Sequence, residues 1–224
     1  MEMLKTNLFL IVYLLTIFVG NSAAESISSK DVEDPPIINR YIWRSCKITN
    51  YQRLCYASLI SYATYIDEDP IHLAIAAINA TRSRLLQINN NFLAINHKIV
   101  TNTSAVELRT ARAMVDCLDL VGIALDLLYQ SEEEIEALVD AKEIVKSQLQ
   151  NAQVWVGAAL TNQDTCIDGF TTDFGDRPDS SLLGKRIKTF VISRMNTTER
   201  YTSNVLVLVN SLVNVRLNTQ IIHQ

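Results

Sequence analysis

Asp69-Pro70-Ile71-His72-Leu73-Ala74-Ile75-Ala76-Ala77-Ile78 opens the part of the chain that decides the fold. An aspartate followed by proline is a helix start: the carboxylate caps free backbone N–H groups, and proline suits the first helical position. From there apolar residues fall at Ile71, Ile75, Ile78, Leu85, Ile88, Phe92, Ile95 and Ile99. That spacing puts one apolar stripe on one helical face. Prolines stand only at 35, 36, 70 and 178, so nothing from Ile71 to Arg177 breaks a helix in that way.

Two further stripes extend the pattern. One reads Leu108, Ala111, Val115, Leu118, Gly122, Leu125, Tyr129, widened on its flank by Met114, Cys117, Val121, Ala124 and Leu128. The other reads Tyr201, Val205, Leu208, Leu212, Val215, with Leu183, Ile187 and Phe190 leading into it. One helix from Ala105 to Cys166 would be roughly 90 Å long, too long for a domain of this size, so it must break. Ser131 with Glu134 offers a capping box. The polar stretch Lys146 to Asn151 is the preferred turn, because apolar spacing continues past Ser131 as Ile135 and Leu138. A short helix from about Ala152 to Cys166 follows. The expectation is all-α: an up-and-down four-helix bundle preceded by a smaller helical element over residues 41 to 65.

The first residues set the compartment. Lys5, an apolar run from Leu8 through Val19, and the small residues Gly20, Ser22, Ala23 and Ala24 have the layout of a secretory signal peptide over 1–24. The run is shorter than the roughly 20 residues a bilayer needs. Residues 25–40, with Pro35-Pro36, are expected to be a flexible lead, 41–217 the helical domain, and 218–224 a tail. Cleavage removes Glu2 and Lys5, so the net charge stays at −4. That balance gives no support to nucleic-acid binding, which needs a basic footprint.

In an oxidising compartment Cys46, Cys55, Cys117 and Cys166 default to disulfides. Zinc would want tight cysteine pairs or nearby histidines, and His72, His97 and His223 form no such group. Three pairings are open on spacing alone. Sequons at Asn79, Asn102 and Asn196 are candidate glycan sites in an exported chain.

No catalytic constellation stands out. The chain has no GxSxG elbow, HExxH, phosphate loop or dinucleotide fingerprint, and no cofactor is expected. Glu132-Glu133-Glu134 could supply paired carboxylates, but consecutive helical residues splay apart and a solvated face is the simpler reading. The residues therefore describe a binding protein rather than an enzyme.

The segment Trp155-Val156-Gly157-Ala158-Ala159-Leu160-Thr161-Asn162-Gln163-Asp164-Thr165-Cys166-Ile167-Asp168-Gly169-Phe170 resembles a signature of the plant invertase/pectin methylesterase inhibitor family. Cys46 to Cys55 with Thr49 and Tyr51 resembles the family's N-terminal cysteine hairpin. Asp116-Cys117 resembles its third cysteine, and Thr202 to Leu208 its last helix. The resemblance covers residues 41 to about 217. It implies a helical hairpin before the bundle, disulfides Cys46–Cys55 and Cys117–Cys166, and docking onto a target enzyme. It also implies that Thr165 and Asp168 belong to the contact face, although both residue types are favoured as helix caps too. Val121 stands where the family has tyrosine, and Gly157 where it favours serine.

Invertase inhibitors carry Pro-Lys-Phe where this chain has Leu149-Gln150-Asn151, so the resemblance implies the pectin methylesterase branch. The expected function is one-to-one inhibition of pectin methylesterase in the extracellular cell-wall space. An acid invertase inhibitor is the alternative within the same class, and a secreted helical small-ligand carrier the alternative outside it.

Overall fold

The computed structural model describes residues 39–101, 108–139, 146–171 and 181–222, with side chains as far as Leu212. The expected signal peptide, nearly all of the lead, and Asn102 lie outside the described residues. Two short helices come first, α1 (Arg40–Cys46) and α2 (Gln52–Leu59), then a 3-10 turn (Ile60–Tyr62) and α3 (Ala63–Ile66). Four long helices follow: α4 (Pro70–Thr101), α5 (Leu108–Glu136), α6 (Lys146–Thr171) and α7 (Leu182–Ile222). Each long helix packs on its neighbours in sequence, and α7 closes on α4, so α6 stands diagonally across the bundle from α4. α1 and α2 form the hairpin and pack against α4 and α7. No strand occurs among the described residues.

The start of α4 follows from its sequence. Asp69 Oδ1 accepts the N–H groups of Ile71 at 2.7 Å and His72 at 2.9 Å, and Pro70 takes the first helical position. Just before it, Asp67 (φ 42°) and Glu68 (φ 60°) are consecutive left-handed residues that turn the chain from α3 into α4. Ile75, Ile78, Leu85, Ile88, Phe92 and Ile99 are buried as their spacing predicts, and the Phe92 ring meets Phe190 of α7 edge-on at 6.3 Å.

Three expectations change. The break after α5 does not fall at Lys146 to Asn151: α5 ends at Glu136, and that whole stretch is the first turns of α6. Leu149 and Ala152 are core residues, and Asn151 Nδ2 donates to Glu134 Oε1 at 2.9 Å, which locks the two helices beside their connection. Ser131 caps nothing; it is buried within α5, and its hydroxyl donates to Ala152 O at 3.3 Å across the interface. Second, the buried row of α5 is the flank, Met114, Cys117, Val121, Ala124 and Leu128, while Leu108, Val115 and Tyr129 of the expected main stripe are exposed. Third, the glutamate run is not one solvated face. Glu132 is buried and ion-paired with Arg82 of α4, whose guanidinium also lies over the Tyr129 ring. The last helix, α7, runs to Ile222.

Candidate functional site

Two disulfides organise the molecule. Cys46–Cys55 (Cα–Cα 5.7 Å) closes the hairpin, and Cys117–Cys166 (Cα–Cα 4.6 Å) ties α5 to α6. Thr49, buried inside the small loop, donates to Cys46 O at 2.8 Å and holds the turn. Tyr51 ends that turn against α7: its N–H donates to Asn204 Oδ1 at 3.1 Å, and Asn204 Nδ2 donates back to Tyr51 O at 3.0 Å. Asn50 Nδ2 reaches Ser203 Oγ at 3.3 Å, and the Arg200 guanidinium lies 5.4 Å from the Tyr51 ring centre. The hairpin is thus fastened to the same stretch of α7 that borders α6.

Cys166 faces inward, and Thr165 and Asp168, on either side of it, face out. With Thr161 they form the exposed ridge of α6. Neither Thr165 nor Asp168 caps the start of a helix. Thr165 sits inside α6 and its hydroxyl donates to Thr161 O at 2.8 Å, the ordinary back-bond of a helical threonine. Thr161 does the same to Gly157 O at 3.1 Å. Asp168 lies in the last turn of α6, where the helix dipole disfavours negative charge. Within that turn the Thr171 hydroxyl donates to Asp168 O at 3.3 Å and lies 3.4 Å from Asp168 Oδ1.

The neighbours of the ridge escaped the sequence reading. The bridge sets Asp116, exposed beside Cys117, on the α5 side of the ridge. On the α7 side, Glu199 is raised above its ordinary carboxylate range. Burial is the main cause, followed by Asp164, with Asp168 adding to the rise and Arg200 opposing it. Glu199, Arg200, Asn196, Ser203, Leu160 and Tyr51 line a shallow open cleft of about 210 Å³. Beneath it, Gln163 Nε2 donates to the buried Thr202 hydroxyl at 2.8 Å, which pins α6 to α7 from within. A sequence signal for Asp116 existed, since any residue beside a disulfide cysteine shares the bridge's surroundings. None existed for Glu199, which reaches the ridge from another helix.

The ridge is chemically one-sided. Both threonine hydroxyls send their protons into the helix, so outward they present lone pairs. Asp116, Asp164, Asp168 and Glu199 present carboxylates. Such a surface accepts hydrogen bonds and attracts cations. Among the described residues no group of three or more His, Cys, Asp or Glu could hold a metal ion. No described helix is long and apolar enough to cross a membrane. The sequons at Asn79 and Asn196 lie in the long helices α4 and α7, half-buried, and their threonines, Thr81 and Thr198, are buried against Ala77 O and Arg194 O.

Residues 40–208 match the family described as Plant invertase/pectin methylesterase inhibitor. The chain belongs to that family. It is 31% identical over 220 residues to "Pectinesterase inhibitor 9" of Arabidopsis thaliana, covering 95% of this chain and 97% of that one. It is 32% identical to "Pectinesterase inhibitor 11" of the same plant over 92% and 94% of the two chains. It is also 33% identical to the "21 kDa protein" of Daucus carota over 77% and 83%. A crystallised mutant form of a pectin methylesterase inhibitor from Arabidopsis shares the fold at TM-score 0.53 and 19% identity, over 74% of this chain and 92% of that one.

Proposed function

We propose that this protein is a secreted, non-enzymatic inhibitor of pectin methylesterase that docks one-to-one over the enzyme's substrate cleft through the α6 ridge. The family membership and the relatives named as pectinesterase inhibitors support the target. The observation that carries the site is the bridged ridge itself. Thr165 and Asp168 are held on a helix tied to α5 by Cys117–Cys166, so little order has to be gained on docking. Acceptors and carboxylates on that ridge suit a partner face rich in donors such as arginine, lysine or tyrosine side chains. The invertase reading gains no support, since Leu149-Gln150-Asn151 is an ordinary helical stretch with Leu149 in the core. The polar lining of the cleft beside the ridge suits no apolar cargo.

The deciding experiment measures ester release by a plant pectin methylesterase, and sucrose cleavage by acid invertase, with the purified mature chain present. Loss of ester release at equimolar chain, with sucrose cleavage untouched, is expected. Inhibition of invertase alone would overturn the assignment.

A further inference from the structure

The hairpin carries a charge of opposite sign to the chain as a whole. Residues 40–66 hold four bases, Arg40, Arg44, Lys47 and Arg53, and no acid, in a protein of net charge −4. In α1, Ile42 and Cys46 face the core, which turns Arg40, Trp43, Arg44 and Lys47 outward in a row about 10 Å long at 1.5 Å per residue. In α2, Cys55 and Leu59 face inward, and Arg53 and Tyr56 lie one turn apart on the outer side. The Trp43 and Tyr56 rings meet edge-on at 5.5 Å and join the two rows. The Cys46–Cys55 bridge brings Arg53 level with the Lys47 end of α1. All four cations are exposed, and none pairs with an acid among the described residues. The acids that adjoin the hairpin come from other sides. Asp69 and Glu68 of the corner before α4 act on Tyr41, at the flank of α1, with Asp67 exposed beside them. Glu199 sits in the cleft beyond Tyr51, next to Arg200. Asp31, Glu33 and Asp34 precede α1 in sequence, outside the described residues.

We propose that this outer face of the hairpin binds de-esterified pectin, a linear polymer with a carboxylate on each unesterified sugar. The choice of polymer rests on the cell-wall setting of the proposed function. Each guanidinium can take a carboxylate through two parallel hydrogen bonds, and Lys47 adds a point charge. Sugar rings present C–H faces that pack on aromatic rings, and Trp43 with Tyr56 supplies such a platform between the cations. A single exposed ion pair is worth little, but several made by one polymer chain add through effective concentration. A charged lipid surface is the poorer match, since it wants apolar side chains free to insert, and the two rings of this face are half-buried against each other. The acids of the α6 ridge do not share the attraction, so a chain held by α1 leaves its ridge off the polymer.

Retention of the mature chain, residues 25–224 with the acids of the lead present, on immobilised polygalacturonate tests the proposal. The wild-type protein is expected to be retained and to elute by roughly 0.5 M sodium chloride, where the screening length falls to a few ångströms. Highly methyl-esterified pectin should not retain it. The triple variant Arg44→Gln, Lys47→Gln, Arg53→Gln is expected to bind polygalacturonate at least about tenfold more weakly. The triple variant Arg112→Gln, Lys185→Gln, Arg186→Gln makes the same change of net charge at exposed cations of α5 and α7, and should bind as the wild type does. Both variants replace exposed side chains, so helical circular dichroism should persist in them. A wild-type chain that passes through unretained would overturn the proposal. So would equal losses in the two triple variants, or equally strong binding to phosphatidylserine vesicles. No enzyme enters these measurements, so pectate binding without inhibition would count against the inhibitor reading alone, and inhibition without pectate binding against this one alone.

Discussion

Asn204 holds Tyr51 by both ends of its side-chain amide, accepting from the Tyr51 N–H and donating to the Tyr51 carbonyl. Asn204 is buried and Tyr51 exposed, so the hairpin turn and α7 share a half-buried pair of hydrogen bonds. Asn204→Ala is expected to cost about 1–2 kcal/mol, from the loss of two half-buried hydrogen bonds worth about 0.5–1.5 kcal/mol each. Asn204→Asp keeps the acceptor but turns a carboxylate on the Tyr51 carbonyl, and should fare little better. Thermal midpoints check both, and limited proteolysis should show the first cuts moving to residues 47–51.

At the proposed docking ridge, Asp168→Ala is expected to weaken inhibition of pectin methylesterase at least about tenfold, within the range for losing a charged hydrogen bond at an interface. Its melting temperature should barely move, because the long exposed hydrogen bond lost from Thr171 is offset by removing a carboxylate from the unfavourable end of the α6 dipole. A lower melting temperature with unchanged inhibition would make Asp168 a structural residue.

Arg82 and Glu132 join α4 to α5 across a nearly closed contact, with Glu132 almost fully buried and Arg82 about a third exposed. Arg82→Met leaves the carboxylate without its partner. The loss should fall below the ~3–5 kcal/mol typical of fully enclosed pairs, since solvent reaches the arginine side. Arg82→Met combined with Glu132→Leu should recover much of it, and urea unfolding of the two variants measures the difference.

Glu199 gives a pH dependence of known sign. Its folded carboxyl holds its proton to higher pH than the unfolded one, chiefly through burial, with Asp164 next and Arg200 opposing. The folded state therefore binds more protons, and stability falls as pH rises from the ordinary carboxylate range through the raised value. Glu199→Gln should raise the melting temperature at neutral pH and lose that advantage in acid, where the wild-type side chain is already protonated.

The corner before α4 gives a backbone prediction. Glu68 occupies the left-handed region at φ 60°, which costs an L-residue roughly 1–2 kcal/mol. Glycine removes that strain but adds freedom to the unfolded chain worth about 0.5–1 kcal/mol. Glu68→Gly should therefore stabilise by up to about 1 kcal/mol, readable as a small rise in melting temperature.

The bundle was legible because α4 and α7 each carry one dominant apolar row. α5 was harder: two adjacent rows are apolar, and hydropathy cannot rank them. Cys117 could have decided it, since a cysteine bonded to another helix must face inward, and its row is the one that is buried. The misplaced break has a similar cause. Lys146 to Asn151 is polar on average, yet Leu149 alone anchors it in the core. Glu132 looked solvated because its partner, Arg82, lies fifty residues upstream on another helix. At the site, Thr165 and Asp168 came from family resemblance. Asp164 and Glu199 needed the packing of α6 on α7, which no local pattern encodes.

The one-sidedness of the α6 ridge bears on where the molecule can travel. De-esterified pectin is itself a dense array of carboxylates, and a surface of carboxylates and lone pairs is repelled by it at the ionic strengths where Debye screening is incomplete. An inhibitor whose recognition face were basic would be adsorbed by the polymer that its target produces. If the α6 ridge is the docking face, Asp116, Asp164, Asp168 and Glu199 would leave it little retained by that polyanion, and a cationic protein surface would be what holds it.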